Sequence, residues 1–272
     1  MTNISASIVL YHNKKEQVKK VIESFLNTEL EVKLYLVDNS KTDELKVLSN
    51  MDSRIKYIFN NANLGYGSAH NIAIRKSIAA SIPFHLVLNP DIYFKKGVLE
   101  SLYEYMQNNN NVANIMPKII YLNGDLQYLC KLLPSPYDLI FRRFIPFKNI
   151  KEKYNNRYEL RLSGYDKILN IPNLSGCFMF LRTDALKDIG LFDERFFMYL
   201  EDTDLNRRLH YKYDTIFYPK VSVYHEYAKE SYNNKKLLLE HIKSAIKYFN
   251  KWGWITDAFR DKVNKKILEK IV

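Results

Sequence analysis

Short apolar runs alternate with stretches of helical periodicity at the start of the chain, and this alternation constrains the fold more than any other feature. The runs predict buried strands at residues 4–11, 32–37, 54–59 and 84–88. Apolar residues recur at helical spacing between them, over residues 18–25 and 68–80. Strands that alternate with helices in this way predict an α/β protein with a Rossmann-like, doubly wound and mostly parallel sheet.

Polar or flexible residues follow three of these predicted strands. Asp38 closes the second, Gly65 follows the third, and Asp91 follows the fourth. Doubly wound sheets bind ligands outside the carboxyl ends of their strands, so we expect these three residues on one ligand-binding rim.

The pattern is weaker in the middle of the chain. A helix at 98–108 and a strand at 112–116 precede a basic, aromatic, proline-punctuated stretch at 134–170, which predicts an irregular insertion. Regular structure returns with strands at 174–182, 215–218 and 221–225, and with helices at 183–189 and up to about 211. The last 38 residues predict two helices broken near Gly253.

Composition excludes several classes of protein. Hydrophobic residues make up 47% of the chain and charged residues 26%, as in ordinary globular domains. No apolar run approaches the ~18 residues that span a bilayer, and the N-terminus does not resemble a signal peptide, so we expect a cytoplasmic protein. Cys130 and Cys177 lie far apart without other metal-ligand spacing, which argues against a zinc site or disulfide and predicts two packing residues.

The net charge of +11 comes from two segments. Residues 142–161 carry +5 and residues 235–272 carry +6, so the rest of the chain is neutral on balance. Such patches suit nucleic acid, anionic lipid or a phosphate-bearing substrate, and a merely solvated face is the alternative.

Three motifs contain residues suited to chemistry. Asn89-Pro90-Asp91 ends a strand, where the carboxylate could hold Mg²⁺ or Mn²⁺ against a diphosphate; the alternative is a strand-ending turn. The stretch from Gly65 to Asn71 is rich in glycine where a strand turns into a helix, but His70 breaks the dinucleotide-binding pattern, and an ordinary loop is the alternative.

The third motif is Glu201-Asp202-Thr203-Asp204, at the start of a helix. Asp204 can pair with Arg207 or Arg208, which predicts a structural role. Asp202 has no such partner in its own helix and follows an aromatic run, so it is a candidate general base. A helix N-terminal cluster without catalytic function is the alternative.

Two further residues end strands. Asp38 could meet a ribose hydroxyl or a base N–H, although capping of its own turn is equally consistent with the sequence. His225 could reach a metal or diphosphate, and a structural histidine is the alternative.

Taken in order, these segments resemble the family 2 glycosyltransferases with the GT-A fold, especially the branch of O-antigen rhamnosyltransferases. The resemblance spans residues 4–231, except 134–170. The matching stretches are residues 8–13, 37–40, 63–71, 88–91, 175–179 and 192–205. The resemblance implies a glycosyltransferase domain at 1–231, with a nucleotide-binding half at 1–116 and an acceptor half at 117–231, followed by a basic helical tail at 232–272.

The resemblance also implies roles for single residues. Asp202 would be the catalytic base of an inverting transfer, and Asp91 with His225 would hold Mg²⁺ or Mn²⁺. Many relatives have Asp-x-Asp where this chain has Asn89-Pro90-Asp91. The residues expected to contact the donor are Tyr11, Asn13, Asp38, Asn63, Gly65, Tyr66, Gly67, Asn71, Asn89 and Asp91. Those expected to contact the acceptor or to support the site are Glu201, Asp204 and Gly176.

The expected donor is dTDP-β-L-rhamnose, and the expected acceptor is a polyprenyl-diphosphate-linked glycan of surface polysaccharide synthesis. A UDP-hexose or UDP-N-acetylhexosamine is the competing donor. A nucleotidyltransferase and a non-catalytic glycan-assembly subunit are alternatives from other classes. We expect no nucleic-acid partner. The tail, with Leu238, Ile242, Ile246 and Phe249 on one helical face, either lies on the anionic inner face of the plasma membrane or packs on the core.

Overall fold

The computed structural model describes residues 2–140, 147–226 and 235–271. The strands are β1 Ile4–Leu10, β2 Val32–Asp38, β3 Ile55–Phe59, β4 Phe84–Leu88, β5 Ile92–Tyr93, β6 Val112–Ile120, β7 Cys130–Lys131, β8 Leu169–Asn170, β9 Asn173–Leu174, β10 Phe178–Arg182 and β11 Asp214–His225. The helices are α1 Lys15–Leu26, α2 Tyr66–Ala79, α3 Val98–Asn108, α4 Pro136–Leu139, α5 Lys148–Tyr158, α6 Thr183–Ile189, α7 Glu201–Lys212, α8 Lys235–Trp252 and α9 Ala258–Ile271.

One sheet of nine strands forms the centre of the molecule, in the order β3-β2-β1-β4-β10-β6-β11-β5 with β8 also on β11. The first four strands are parallel, β10 runs antiparallel to both of its neighbours, and β11 is parallel to β6. The predicted α/β class with a mostly parallel sheet is therefore confirmed. A separate pair, β7 with β9, lies beside it.

The central strands are apolar because helices cover both faces of the sheet. All five residues of β4 are buried, and α1 buries the four apolar residues whose spacing predicted it. Two serines interrupt the apolar run of β1, and both hydroxyls are hydrogen-bonded inside the core. Ser7 Oγ lies 2.7 Å from His70 Nδ1 and 2.8 Å from His85 Nε2, so these buried polar groups satisfy one another.

Three expectations about the second half were wrong. The single strand expected at 174–182 is divided into β9 and β10, which belong to different sheets. The strands expected at 215–218 and 221–225 are one strand, β11, whose register on β6 shifts between Tyr218 and Ser222. Pro219 lies within this irregularity. Since a proline has no N–H to donate to a neighbouring strand, the regular hydrogen bonding of β11 cannot continue through this residue. The insertion at 134–170 was expected to be irregular but contains α4 and α5, while residues 141–146 lie outside the described residues.

The C-terminal helices pack on the domain. Ala245, Tyr248 and Phe249 of α8 are buried against Phe196 and Leu200. The chain then turns at Gly253, with φ +106°, as the predicted break requires.

The exposed side of α8 differs from the expected apolar face. Ile242 and Ile246 are 36% and 42% exposed, although we expected them to share a face with the buried Phe249. The buried face follows residues 245, 248 and 249 instead, because these are the positions that meet the core. Within the described residues, no helix has the length and apolar character that a membrane span requires.

Candidate active site

A cleft of about 1080 Å³ lies at the carboxyl ends of the parallel strands. It is bounded by the residues that follow β4, the residues that precede β10, the start of α7 and the end of β11. Among its lining residues are six from the expected site: Tyr66, Asn89, Gly176, Glu201, Asp202 and His225. The tertiary structure thus brings together residues that are up to 159 positions apart in the sequence.

Asp202 is half-buried in the wall of this cleft. Its Oδ2 accepts a hydrogen bond from the Gly176 N–H at 2.7 Å, and its Oδ1 accepts one from the Thr203 N–H at 2.7 Å. A Cβ at position 176 would lie 3.0 Å from Asp202 Oδ2 and 2.9 Å from Asp202 Cβ, so only glycine lets this backbone approach so closely. The carboxylate is therefore held in one orientation with further lone pairs available to a ligand.

Glu201 precedes Asp202 and has a different environment. Its side chain is 5% exposed, and its Oε2 makes no hydrogen bond with any described residue. Burial raises the pKa of Glu201 well above its usual value, and the neighbouring Asp202 raises it further. The two adjacent carboxyl groups therefore differ in environment: burial favours the neutral form of Glu201, whereas Asp202 accepts hydrogen bonds from two backbone N–H groups.

Tyr66 connects the start of α2 to both sides of the cleft. Its hydroxyl lies 3.0 Å from Asn89 Oδ1 and 2.8 Å from the carbonyl oxygen of Gly176. Burial raises the pKa of Tyr66 well above its usual value, so the phenol stays protonated and donates to one of these oxygens. The residues after β4 and before β10 are thereby tied together beside Asp202.

Asp91 and His225 face one another, as a shared metal site requires. Asp91 Oδ1 lies 3.3 Å from His225 Nε2 and accepts no hydrogen bond from the described residues. His225 Nδ1 lies 2.9 Å from Gln127 Oε1, an oxygen that only accepts, so Nδ1 carries a hydrogen and Nε2 is the ring nitrogen that faces Asp91. A cation between these two atoms would satisfy both. No group of three or more metal-ligating residues is found in the described ranges.

The residues at the ends of β1 and β2 lie outside the lining of this cleft. Asp38 is fully buried, and its carboxylate accepts hydrogen bonds from the Ser40 N–H at 2.8 Å and the Tyr57 hydroxyl at 2.6 Å. Tyr11 is 51% exposed, and its N–H donates to Asn13 Oδ1 at 2.8 Å. Donor contacts by Tyr11, Asn13 and Asp38 stay predictions.

The glycine-rich loop packs against the segment that precedes α7. A Cβ on Gly65, where φ is +85°, would lie 2.2 Å from the carbonyl oxygen of Phe197. A Cβ on Gly67 would lie 2.9 Å from Phe192 Cβ. Both glycines are therefore needed for close approach of these two segments.

Two asparagines near this loop make structural hydrogen bonds. Asn63 Oδ1 accepts from the Gly65 N–H at 3.0 Å. The buried Asn71 donates to Phe192 O and Glu194 Oε1, both at 2.9 Å. These bonds hold the loop against residues 192–194, and donor contacts by Gly65, Gly67, Asn63 and Asn71 stay predictions.

Asp204 has the structural surroundings that its sequence position predicted. The carboxylate is fully buried and pairs with Arg208 Nε at 2.9 Å, one of the two partners we expected. The other candidate, Arg207, pairs instead with Asp257 at 2.6 Å. Trp252 Nε1 also donates to Asp204 Oδ1 at 2.8 Å, so this carboxylate helps to hold the C-terminal helices.

One wall of the cleft was not identified from the sequence. It contains Tyr121, Gln127, Tyr128, Lys131 and Arg161. These residues come from short strands and loops without a recognisable motif, so no local pattern marks them. Of these residues, Lys131 is placed by the pairing of β7 with β9.

Sequence comparison finds relatives that are named as hexosyltransferases or rhamnosyltransferases. The chain is 28% identical over 199 residues to the low-salt glycan biosynthesis hexosyltransferase Agl10 of Haloferax volcanii, covering 73% of this chain but only 59% of that protein. It is 26% identical to the N-acetylglucosaminyl-diphospho-decaprenol L-rhamnosyltransferase of Mycobacterium tuberculosis, covering 84% and 78% of the two chains. It is 23% identical to the rhamnosyltransferase WbbL of Escherichia coli K12, covering 94% and 97%.

Solved structures show the same fold. The Staphylococcus aureus TarS 1–349 structure matches with a TM-score of 0.61 and 16% identity, covering 98% of this chain and 71% of that one. GalNAc-T7, solved with UDP, GalNAc and Mn²⁺, matches with a TM-score of 0.67 and 14% identity, covering 92% and 48%. The family model for Glycosyl transferase family 2 matches residues 7–190. With its sheet, cleft and family match in agreement, the chain belongs to glycosyl transferase family 2 and is a glycosyltransferase with the GT-A fold.

Proposed function

We propose that this enzyme transfers a sugar, with inversion, from a nucleotide diphosphate donor to a hydroxyl group of a lipid-linked glycan. The observation that carries the proposal is the half-buried Asp202 carboxylate, held by the N–H groups of Gly176 and Thr203 in a cleft that also contains His225. Asp202 accepts the proton of the acceptor hydroxyl while that oxygen attacks the anomeric carbon. The bond from that carbon to the diphosphate breaks on the opposite face, so one base is sufficient.

Asp91 and His225 would hold a divalent cation in this mechanism. The carboxylate oxygen and the imidazole nitrogen face one another at 3.3 Å, and both are ligand types that Mn²⁺ and Mg²⁺ sites can use. When bound, the ion would offset the negative charge that develops on the leaving diphosphate. GalNAc-T7, which shares the fold, was solved with UDP and Mn²⁺, which supports this assignment.

L-rhamnose, from dTDP-β-L-rhamnose, is the donor sugar we propose. Support comes from two relatives that are named as rhamnosyltransferases, one of them acting on a diphospho-decaprenol-linked N-acetylglucosamine by its name. The Haloferax relative is named only as a hexosyltransferase, which keeps UDP-hexoses as the competing donors.

A donor panel tests this proposal. The enzyme is incubated with dTDP-rhamnose, UDP-glucose or UDP-N-acetylglucosamine, together with a synthetic lipid-diphosphate N-acetylglucosamine acceptor and Mg²⁺ or Mn²⁺. We expect product only with dTDP-rhamnose, and the product should be the α-rhamnoside. Transfer from UDP-sugars but not from dTDP-rhamnose would refute the donor assignment, and donor hydrolysis without acceptor would be measured as the background.

We propose further that α8 meets an anionic membrane surface, where a lipid-linked acceptor would be found. Leu239, Ile242 and Ile246 are exposed on this helix, and exposed lysines such as Lys243 and Lys247 lie among them. Such a surface can insert apolar side chains at the interface while lysines attract lipid phosphates.

The vesicle test uses substitution rather than truncation, because α8 also contributes buried residues to the domain. A variant with serine at positions 239, 242 and 246 should lose binding to vesicles that contain anionic lipid, while its nucleotide-induced shift in melting temperature stays unchanged. A control with serine at the exposed Tyr211 of α7 should bind as the wild type does. Equal binding by the triple variant would refute the proposal.

A further inference from the structure

Lys131 lies in the wall of the cleft, and its side chain forms no ion pair with the residues that the structure describes. Its side chain is half-buried at the end of β7, and it lines the same cleft as Asp202 and Gly176. Among the described residues that line the cleft, it is the one lysine or arginine without a hydrogen bond or an ion pair. Its ammonium is therefore available for a charge-assisted hydrogen bond to a ligand that carries negative charge.

Arg161 provides the contrast within the same wall. Its guanidinium donates to Glu159 Oε2 at 2.8 and 2.6 Å and lies 4.5 Å above the ring of Tyr128. Its charge is therefore neutralised and its position fixed by the protein itself. Lys131 is left as the cation available to a ligand.

The pairing of strands places Lys131 on the side of the catalytic base. Lys131 is opposite Asn173 in the β7–β9 pair, and Asn173 Oδ1 accepts a hydrogen bond from Thr203 Oγ1 at 3.2 Å. Thr203 directly follows Asp202.

The chemistry of inversion then identifies the ligand. The base contacts the acceptor, whereas the diphosphate of the donor leaves from the opposite face of the sugar and is assigned to Asp91 and His225. An anion on the side of Asp202 therefore belongs to the acceptor. We propose that Lys131 binds the diphosphate group of a lipid-linked acceptor and selects it over an uncharged glycoside, an inference that rests on the proposed function.

Two acceptors that differ only in this group test the proposal. One is an alkyl-diphosphate-linked N-acetylglucosamine, and the other is the neutral alkyl glycoside of the same sugar and chain. For the wild type we expect kcat/KM to favour the diphosphate acceptor by about tenfold to a hundredfold, as a charge-assisted hydrogen bond allows. In Lys131→Met that preference should disappear, and Lys131→Arg should keep most of it.

Lys118→Met is the matched control, because Lys118 is also a half-buried strand lysine but does not line the cleft. It should retain the wild-type preference. An unchanged preference in Lys131→Met would overturn the proposal. So would weaker binding of dTDP with an intact acceptor preference, since that result would assign Lys131 to the donor.

A binding measurement separates this proposal from the proposed function. A short-chain prenyl diphosphate is titrated calorimetrically into each variant, which requires no turnover. If the wild type transferred no sugar from any donor, the proposed function would fail, but tenfold weaker binding by Lys131→Met would still support the anion site. Equal affinity of the wild type and Lys131→Met would overturn it.

Discussion

Replacing Asp202 by Asn removes the proposed proton acceptor with almost no change in shape. The wild-type carboxylate accepts from two backbone N–H groups, those of Gly176 and Thr203, each at 2.7 Å. An Asn side chain has one oxygen, so one of these N–H groups would face an NH₂ group instead. We expect a loss of about 1–3 kcal/mol in the free energy of unfolding from that mismatch.

The catalytic effect should be much larger than the structural one. Loss of a positioned general base lowers the rate by about 10²- to 10⁴-fold, so we expect kcat to fall by that factor. Donor affinity should stay near the wild-type value, because Asp202 acts on the acceptor proton. Initial rates give kcat, and the shift in melting temperature caused by the nucleotide measures donor binding separately.

Glu201→Gln is the matched control, since it makes the same chemical change at the adjacent position. Burial and the charge of Asp202 raise the pKa of Glu201 well above its usual value, which favours the uncharged acid. A neutral amide should therefore replace it with less than about a tenfold loss in kcat. A folded Asp202→Asn enzyme that retains more than about a tenth of the wild-type kcat would refute the base assignment. So would an equally large loss in Glu201→Gln.

Three further perturbations follow from the structure. Asp91→Ala and His225→Ala should each weaken metal-dependent donor binding, measured by calorimetry, and full activity in excess chelator would contradict a metal site. Arg207→Met should lower the free energy of unfolding in urea by about 3–5 kcal/mol, because it leaves the buried Asp257 without its partner; a change below about 1 kcal/mol would disprove that role. Burial lowers the pKa of His85 to about 3, whereas the value in the unfolded chain is near 6.5. Between these two values only the unfolded state gains this proton. The free energy of unfolding should therefore fall by about 1.4 kcal/mol per pH unit as the pH decreases towards 3. His85→Gln should show a shallower decline between pH 6.5 and 4 in thermal melts, and identical slopes would contradict the assignment.

Local sequence was sufficient for elements whose burial follows from their own pattern. The strand at Phe84–Leu88 and the helices Val98–Asn108 and Thr183–Ile189 have the predicted bounds. Each is short or amphipathic enough that the spacing of apolar residues alone decides which side faces the core. The same reasoning placed Asn89 directly after a strand at the edge of the sheet, and Asn89 lines the cleft.

Tertiary structure decided the features that depend on partners distant in sequence. Helical spacing placed Ile242 with Phe249, but the face of α8 that is buried depends on where Phe196 and Leu200 lie. By spacing alone, Asp204 could pair with Arg207 or Arg208. Arg207 pairs instead with Asp257, which lies 50 residues later in the sequence, and Asp204 pairs with Arg208.

The cleft itself shows the same division. Asp202 and Asp91 could be proposed from their motifs, since each motif lies within a few consecutive residues. Lys131 belongs to no motif, and its place in the cleft wall follows from the pairing of β7 with β9. The local sequence therefore determined which groups could perform chemistry, while long-range strand pairing decided which of them share a cleft and which charges there are left for a substrate.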